Sequence, residues 1–571
     1  MILKALCDYY DRCKDSLPSF GLELKEIAFV IVINSSGQFV RFEDRRIDKK
    51  RAQSFLVAKH VGRSSAPVAN YLYDNSAYVF GYSDKSDMDA CKKSFETFKK
   101  KIEEFYLTLP TNQALLALNL FYQQTPNMMV DAMKKDPLWS DIEKNLSKKY
   151  STFSFMLEGD VRIIAEKQEL LGLINEDSSS NKQVCLISGK NETIVETTTA
   201  TMIPGSQATA KLVAFQVKSG YDSYGKEKGK NAPIGETSEF AYTTALNHML
   251  SSDSRNKFMI GSRTYLFWAS SNNEACSQAE DCIFNMFGLN QNEDDPNKQI
   301  EQVHKVFKAI YSGTLTTSLD DKFYILGLAP NAARIAVVYW AEIQLKKFAG
   351  LISRHFDDME IVDRRSEKFP YMGLKSILGA VTLGGKSNEA TPNLPDAVVK
   401  SIFQGLSYPY TLFAGCIRRI RAEQSIKITR AAIIKAYLNR LDNNDQKIKV
   451  MLDKENKNQG YLCGRLFAVL EKIQEEANNQ HSIRERYMNS ASATPAIVFP
   501  TILNLSSHHS EKLPEGRNVW FEKLKQEIVD KISSNGFPAH LDLQDQGRFF
   551  VGYYHQRQDF FEKKSDKNEN E

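Results

Sequence analysis

Apolar positions recur with two different periods along this chain, and the change of period divides it. Residues 27–33 form an unbroken β-forming run, Asn34-Ser-Ser-Gly37 is turn chemistry, and residues 38–42 predict the returning strand of a hairpin. From Ala90 to about Lys149 the spacing turns helical. Phe95, Phe98, Ile102, Phe105 and Tyr106, then Leu115, Leu116, Leu118 and Leu120, predict a helical subdomain packed on a sheet. Strand character returns at 153–157, 161–164, 184–187 and 211–217. Residues 236–250 read as an amphipathic helix that reaches the core through Phe240, Leu246 and Met249. Residues 263–268 predict a buried strand, and 321–334 a strand followed by a turn or the start of a helix.

Past Val338 the helical period takes over. Residues 344–356, 394–406, 410–424, 428–441, 462–478, 496–509 and 519–532 are joined by short polar links, which predicts a bundle in a separate lobe. The expected class is α+β. A mixed α/β amino-terminal region with antiparallel sheet elements covers 1–342, with the helical subdomain at about 90–149, and a carboxy-terminal α-helical bundle covers 343–571.

Composition narrows the function more than the fold. The 571 residues correspond to roughly three to four domain-sized units. With 74 basic and 70 acidic residues the formal charge is only +4, so any affinity for nucleic acid must come from local patches. The eight cysteines lack repeated close pairs, and Cys276 and Cys282 have no second pair or neighbouring histidine to complete a zinc site, so all read as reduced thiols. No apolar run approaches a membrane span and the first residues lack a cleavable apolar segment, which leads us to expect a soluble, cytoplasmic protein.

Two patches carry candidate chemistry. The run into Phe215 delivers the chain to a loop in which Gly220, Gly225 and Gly229 allow close approach by a ligand while Lys218, Lys226, Lys228 and Lys230 crowd together. Tyr221 and Tyr224 add flat faces for stacking, and Asn231 adds an amide, the mixture expected where a nucleic-acid strand is held. Gly220 to Lys226 also matches G-x-x-x-x-G-K. Glu227 stands where a nucleotide loop needs a hydroxyl for Mg²⁺, and Gly229, Asn231 and Pro233 oppose a helix directly after the lysine, so the nucleotide reading falls behind. In the second patch Lys59, Arg63, Ser64, Asn70 and Asn75 set cations, a hydroxyl and amides in a loop-then-strand context suited to phosphates and groove edges. A solvated surface is the plainer reading of both.

The bundle carries Arg418, Arg419, Arg421, Arg430, Lys435, Arg440, Arg465, Lys472, Arg484 and Arg486 on helical polar faces, read either as a solvated face or as a groove for single-stranded nucleic acid. An enzyme needs a constellation, and none is evident. The nine histidines form no H-E-x-x-H or H-x-H pair, and Asp320-Asp321 and Asp357-Asp358 sit where solvated carboxylates are common. No catalytic residue, metal or cofactor is therefore expected.

Several long strings go further. Tyr221-Asp-Ser-Tyr-Gly-Lys-Glu-Lys-Gly-Lys-Asn-Ala-Pro233 with residues 240–250, Phe323-Tyr-Ile-Leu-Gly-Leu-Ala-Pro-Asn-Ala-Ala-Arg334, Gly464-Arg-Leu-Phe-Ala-Val-Leu-Glu-Lys472, Ser490-Ala-Ser-Ala-Thr-Pro495 and Gly552-Tyr-Tyr-His-Gln-Arg-Gln558 stand in the order found in one family. Together they make the chain resemble the large subunit of the type I-C CRISPR Cascade complex over nearly its whole length. It departs from the family pattern at Ser188-Gly189-Lys190 and lacks the histidine associated with the region near Thr197. The resemblance implies a non-catalytic subunit of an RNA-guided surveillance complex. Such a subunit checks the protospacer-adjacent motif on double-stranded target DNA, helps start strand separation and R-loop formation beside the displaced non-target strand, contacts the 5′ end of the guide RNA, and docks the helicase-nuclease. Its other partners would be the backbone, guide-processing and small subunits. In this subtype the small subunit is often translated from within the same gene, and a start at Met451 would leave 571 − 450 = 121 residues.

Overall fold

The computed structural model describes residues 1–48, 51–61, 67–82, 88–146, 152–172, 182–201, 203–215, 222, 224–287, 296–364, 373–441, 447–478 and 482–561. The chain forms two compact units. One comprises Leu3–Thr199 with Ala214–His248, the other Ala200–Val213 with Met249–Glu571.

The first unit opens with α1 (Ile2–Arg12) and the strands β1 (Leu22–Glu26), β2 (Phe29–Ile33), β3 (Phe39–Asp44), β4 (Ser54–Ala58) and β5 (Tyr73–Asn75). The helices α2 (Ser76–Val79), α3 (Met88–Thr108), α4 (Gln113–Phe121), α5 (Pro126–Met133) and α6 (Trp139–Asn145) follow, then β6 (Thr152–Leu157), α7 (Gln168–Leu171), β7 (Lys182–Val184), β8 (Asn191–Thr193) and α8 (Glu236–Leu250). The main sheet has the order β3-β2-β6-β5, with β2 antiparallel to β3 and parallel to β6. Every residue of β2 is buried, which is why its sequence is apolar without alternation. Parallel pairing of β2 with β6 requires a long connection, and the chain between them runs through β3 to β5 and then α2 to α6. Phe121 and Tyr122 at the end of α4 pack edge-on against Phe155 of β6, at 5.5 and 6.0 Å between ring centres.

The second unit contains β9 (Lys257–Ile260), β10 (Arg263–Ala269), α9 (Glu274–Met286), α10 (Pro296–Ser312), β11 (Lys322–Asn331) and β12 (Arg334–Gln344). Its remaining helices are α11 (Leu345–Met359), α12 (Leu374–Gly379), α13 (Leu394–Phe403), α14 (Tyr410–Glu423), α15 (Ile428–Asn439), α16 (Gln459–Asn478), α17 (Ser482–Ala491), α18 (Pro495–Ser510), α19 (Glu515–Val529) and α20 (Leu543–Asp559). The four strands form one antiparallel sheet in the order β12-β11-β10-β9. The joint expected near residue 342 falls inside this unit. Phe348 of α11 stacks on Phe323 of β11 at 4.5 Å, so the first helix after the sheet shares the sheet's core.

The chain is α+β as its periods predict, with local differences. Residues 161–164 form no strand: Val161 is exposed, Ile163 and Ile164 are buried, and a short 3-10 turn spans Ile164–Glu166. A pair of adjacent buried isoleucines mimics a strand but has no ladder to join. Of the strand expected at 211–217, only Lys211 pairs, in an isolated parallel bridge to Arg334, and 216–217 lie outside the described residues. After β11 the chain turns back at Ala332 (φ 51°) into β12 rather than into a helix.

Candidate nucleic-acid interface

Lys59 continues the β1–β4 ladder, its N–H donating to Gly21 O at 2.7 Å. Its ammonium lies 3.1 Å from Glu239 Oε2 and 5.4 Å from the centre of the Phe240 ring. Glu239 is only 3% exposed and also accepts from Thr199 N–H at 2.5 Å. A buried carboxylate needs a nearby cation, so Lys59 is committed to the first turn of α8. Asn70 Oδ1 accepts from Val61 N–H at 2.9 Å, while its own N–H donates to Asp74 Oδ2 at 2.9 Å. Asn75 caps α2, accepting from Ala77 N–H at 3.1 Å and Tyr78 N–H at 3.4 Å. Each of the three is thus engaged in bonds within the fold. Arg63 and Ser64 lie outside the described residues.

The glycine-lysine loop is built differently. β7 and β8 form a two-stranded antiparallel ribbon turning at Ser188-Gly189-Lys190, where Ser188 Oγ donates to Glu192 Oε1 at 2.6 Å. The chain after Lys226 lies along this ribbon: Gly229 N–H donates to Glu196 O at 3.0 Å, Leu186 N–H to Pro233 O at 2.9 Å and Val195 N–H to Ile234 O at 3.0 Å. A Cβ on Gly229 would stand 1.9 Å from Val195 O, so only glycine lets the loop seat this closely. Asn231 closes the loop. Its Nδ2 donates to Asp222 Oδ1 at 3.0 Å, Lys226 O at 3.1 Å and Lys228 O at 3.2 Å, so Asn231 holds shape rather than facing a ligand.

The seated loop presents Tyr224, fully solvent-exposed, together with exposed Lys226 and Lys230. Lys228 pairs with Glu196 at 2.7 Å, which raises the lysine pKa and lowers that of the glutamate through the shared hydrogen bond. Exposed Lys182 and Lys190 also stand on the ribbon, with Glu192, Glu196, Asp222 and Glu227 as the acidic residues of the same region. Lys218 and Tyr221 lie outside the described residues. After Lys226 comes a 3-10 turn (Lys228–Asn231), and α8 starts only at Glu236, so the phosphate-loop arrangement of a helix directly after the lysine is not formed. Sequence reasoning missed the closing role of Asn231. Asp222 and Asn231 bracketing a glycine-lysine stretch were the available signal.

The cations of the helical unit are mostly spent internally, which corrects the groove reading of that face. Arg430, Lys435, Arg440 and Arg465 are buried. Arg430 reaches Glu423 Oε2 at 2.7 Å and Ala380 O at 2.8 Å, Arg440 reaches Asp358 at 2.6 Å, and Arg465 reaches Gln556 and Glu527, each at 3.0 Å. Hydrogen bonds from Arg430, with help from Arg419, hold the Glu423 carboxyl at about 2. Arg418 and Arg486 remain exposed.

The paired aspartates are occupied too. Asp321 accepts from Ser318 N–H at 2.7 Å and Asn273 Nδ2 at 2.8 Å, and Asp358 is the partner of Arg440. Among the described residues no three His, Cys, Asp or Glu side chains gather as metal ligands, and no helix is long and apolar enough to cross a membrane.

Compared with known proteins, the chain matches the family described as CRISPR-associated protein (Cas_Csd1) over residues 6–561. It belongs to that family. This is the Cascade large-subunit family to which the sequence strings pointed. No curated protein sequence matches the chain.

In this Cas_Csd1 protein the recognisable strings serve different physical roles, with 323–334 forming β11 and its turn and 240–250 lying in α8. Residues 224–231 form the exposed loop. Gly464-Arg-Leu-Phe lies in α16 and Gly552-Tyr-Tyr-His-Gln in α20, and these interlock: a Cβ on Gly464 would be 1.9 Å from Phe549 O, and one on Gly552 would be 2.3 Å from Tyr461 O. His555 Nδ1 meets Tyr461 OH at 2.9 Å, and Tyr553 OH donates to the fully buried Glu471. The most recognisable carboxy-terminal residues are thus a helix crossing.

Proposed function

We propose that this protein is the non-catalytic large subunit of a type I-C Cascade. In this reading it recognises the protospacer-adjacent motif on target duplex DNA, helps open the duplex, contacts the 5′ end of the guide RNA and the displaced strand, and docks the helicase-nuclease beside the other Cascade subunits in the cytoplasm. Sequence matching is left to base pairing with the guide, so the protein itself needs only a short-motif reader and phosphate contacts. The observation that carries the reading is the 224–231 loop: glycine-seated on the β7–β8 ribbon, closed by Asn231, and turning Tyr224, Lys226 and Lys230 to solvent. Arg63, Ser64, Lys218 and Tyr221 complete the proposed contact set, while Lys59, Asn70, Asn75 and Asn231 act through the bonds within the fold described above. We further assign residues 451–571 as a second product of the gene, the small subunit.

Alanine at Lys226, Lys228 and Lys230 together should leave assembly intact, weaken target-duplex binding, and reduce the slope of log K against log salt by about 2 to 3, near 0.9 for each phosphate that is no longer neutralised. An assembled variant with unchanged duplex affinity would instead favour a scaffold that binds guide RNA and partners without touching DNA. That second reading draws on the bonds that Lys59, Asn70 and Asn75 make within the fold.

A further inference from the structure

Gly350 sits in the interior of α11 with no turn to make, where glycine is a poorer helix former than alanine. Its neighbour explains it. A Cβ there would stand 2.7 Å from Cε2 and 2.8 Å from Cδ2 of Tyr311, near the end of α10. One edge of the tyrosine ring therefore rests on the bare backbone of α11, while Tyr311 stays 56% exposed. The two helices run antiparallel here: His304, two turns before Tyr311 on α10, lies 3.7 Å from Asp357, two turns beyond Gly350 on α11. Cations surround the ring. Lys308 is one turn before Tyr311, Lys346 and Lys347 are one turn before Gly350, and Arg354 is one turn after it, positions that are surface neighbours on a helix. All four are exposed, and none has an acidic partner among the described residues. The acids of the same two helices are taken up elsewhere. Glu301 pairs with Lys305 at 2.7 Å, Asp358 with Arg440 at 2.6 Å, and Asp357 faces His304.

We infer that this face binds a single strand of nucleic acid, with an unpaired base stacked on Tyr311 and the adjoining phosphates held by Lys308, Lys346, Lys347 and Arg354. A base can stack on a side chain only when it is free of its duplex neighbour, and a flat ring set among cations suits the repeat of base and phosphate along one strand. Four unmatched cations around an exposed ring call for a polyanion, whose binding releases counterions. Gly350 seats the ring before any ligand arrives, which lowers the cost of ordering it on binding. The inference rests on the nucleic-acid reading above and adds a contact which that reading does not assign. The glycine-lysine loop belongs to the other compact unit, so the two contacts can be altered separately.

The test uses the full-length chain with three labelled probes over a salt series: single-stranded RNA, single-stranded DNA and duplex DNA. Tyr311→Ala should weaken binding to a single strand at least about fivefold with an unchanged salt slope, because stacking is uncharged, and Tyr311→Phe should bind as the unaltered protein does. Lys346→Ala with Lys347→Ala should lower the slope on the same strand by about 1.4, near 0.7 for each phosphate no longer neutralised. Duplex binding should be the same in all of these variants. The strand that shows both effects, RNA or DNA, is the ligand. Should Tyr311→Ala lower the melting temperature, the lysine variant decides alone. The inference is overturned if Tyr311→Ala matches the unaltered protein on both single strands, if Tyr311→Phe weakens binding as much as alanine does, or if the lysine variant leaves both slopes unchanged. Any of these results leaves the wider reading standing as long as the Lys226, Lys228 and Lys230 variant loses duplex affinity. If that variant too changes nothing, the nucleic-acid reading falls along with it.

Discussion

Gly464 leaves no room for a methyl group. Alanine there would place Cβ against Phe549 O and within 2.9 Å of Tyr553 N, both backbone atoms that move only if α16 and α20 separate. The expected cost is about 2–3 kcal/mol, read as earlier loss of helical signal in denaturant, with the loop and ribbon of the first unit unaffected. Two buried histidines make a second prediction at this scale. His355, 2.7 Å from Tyr408 OH, and His555, beside Tyr461, are pushed down to about 3 by burial, from 6.5. Both are neutral when folded. Below about pH 6.5 the unfolded chain binds the extra protons, so stability falls by about 1.4 kcal/mol per histidine for each pH unit down towards 3. His555→Gln should flatten that dependence by roughly one proton; an unchanged slope would mean that His555 is already charged in the folded protein.

At the scale of an element, the glycine-lysine loop has a defined shape because one side chain closes it. Asn231→Ala removes three hydrogen bonds and leaves the Asp222 carboxylate without that donor. Tryptic cleavage after Lys226, Lys228 and Lys230 should speed up several-fold while the melting temperature barely moves, since the ribbon keeps its bonds to Pro233 and Ile234. Equal cleavage rates would show that the glycine seating alone holds the loop. The same loop marks how far sequence carries. Its glycines, lysines and exposed tyrosine were legible because each residue type has an intrinsic physical reason to be there. The bonds of Asn70, Asn75 and Asn231 were not, because an amide that caps or closes a turn looks the same along the chain as one that reads a base. β2, β6, β10 and β11 were legible from their β-forming runs, and β3 from the turn chemistry ahead of it. β12 was missed because its alternating exposure and its composition merge into α11, and α10, α17 and α20 went unassigned. The arginines of the helical unit were misread for a different reason: a helical period places Arg430 and Arg465 on a polar stripe without revealing that the stripe faces Glu423, Gln556 and Glu527.

At the scale of the whole molecule, the decisive question is what residues 451–571 can do alone. α16 is buried along most of its length by elements that follow it. Gly464 meets α20, Arg465 reaches Gln556 and Glu527, Gln474 Nε2 donates to Ser482 Oγ at 2.8 Å, and Asn478 Nδ2 pairs with His509 Nδ1 at 2.8 Å. A chain beginning at Met451 keeps every one of these interactions and should fold as a helical body. It loses the cover on the far side of α20, where Gly547 packs against Phe413 of α14 and Ile434 of α15, and where Tyr554 OH donates to Val362 O at 2.9 Å. The freed product therefore carries an apolar face that the full chain hides, and an exposed face of that kind drives association. Expression from the intact gene should yield two species by intact mass, one of 571 − 450 = 121 residues, the smaller migrating above its monomer size unless bound to partner subunits. Met451→Leu should abolish the smaller species and leave the full chain as stable as before, since Met451 is more than half exposed. A single full-length species from the unaltered gene would remove the case for a second product, while leaving the α16–α20 crossing as the core of the one chain.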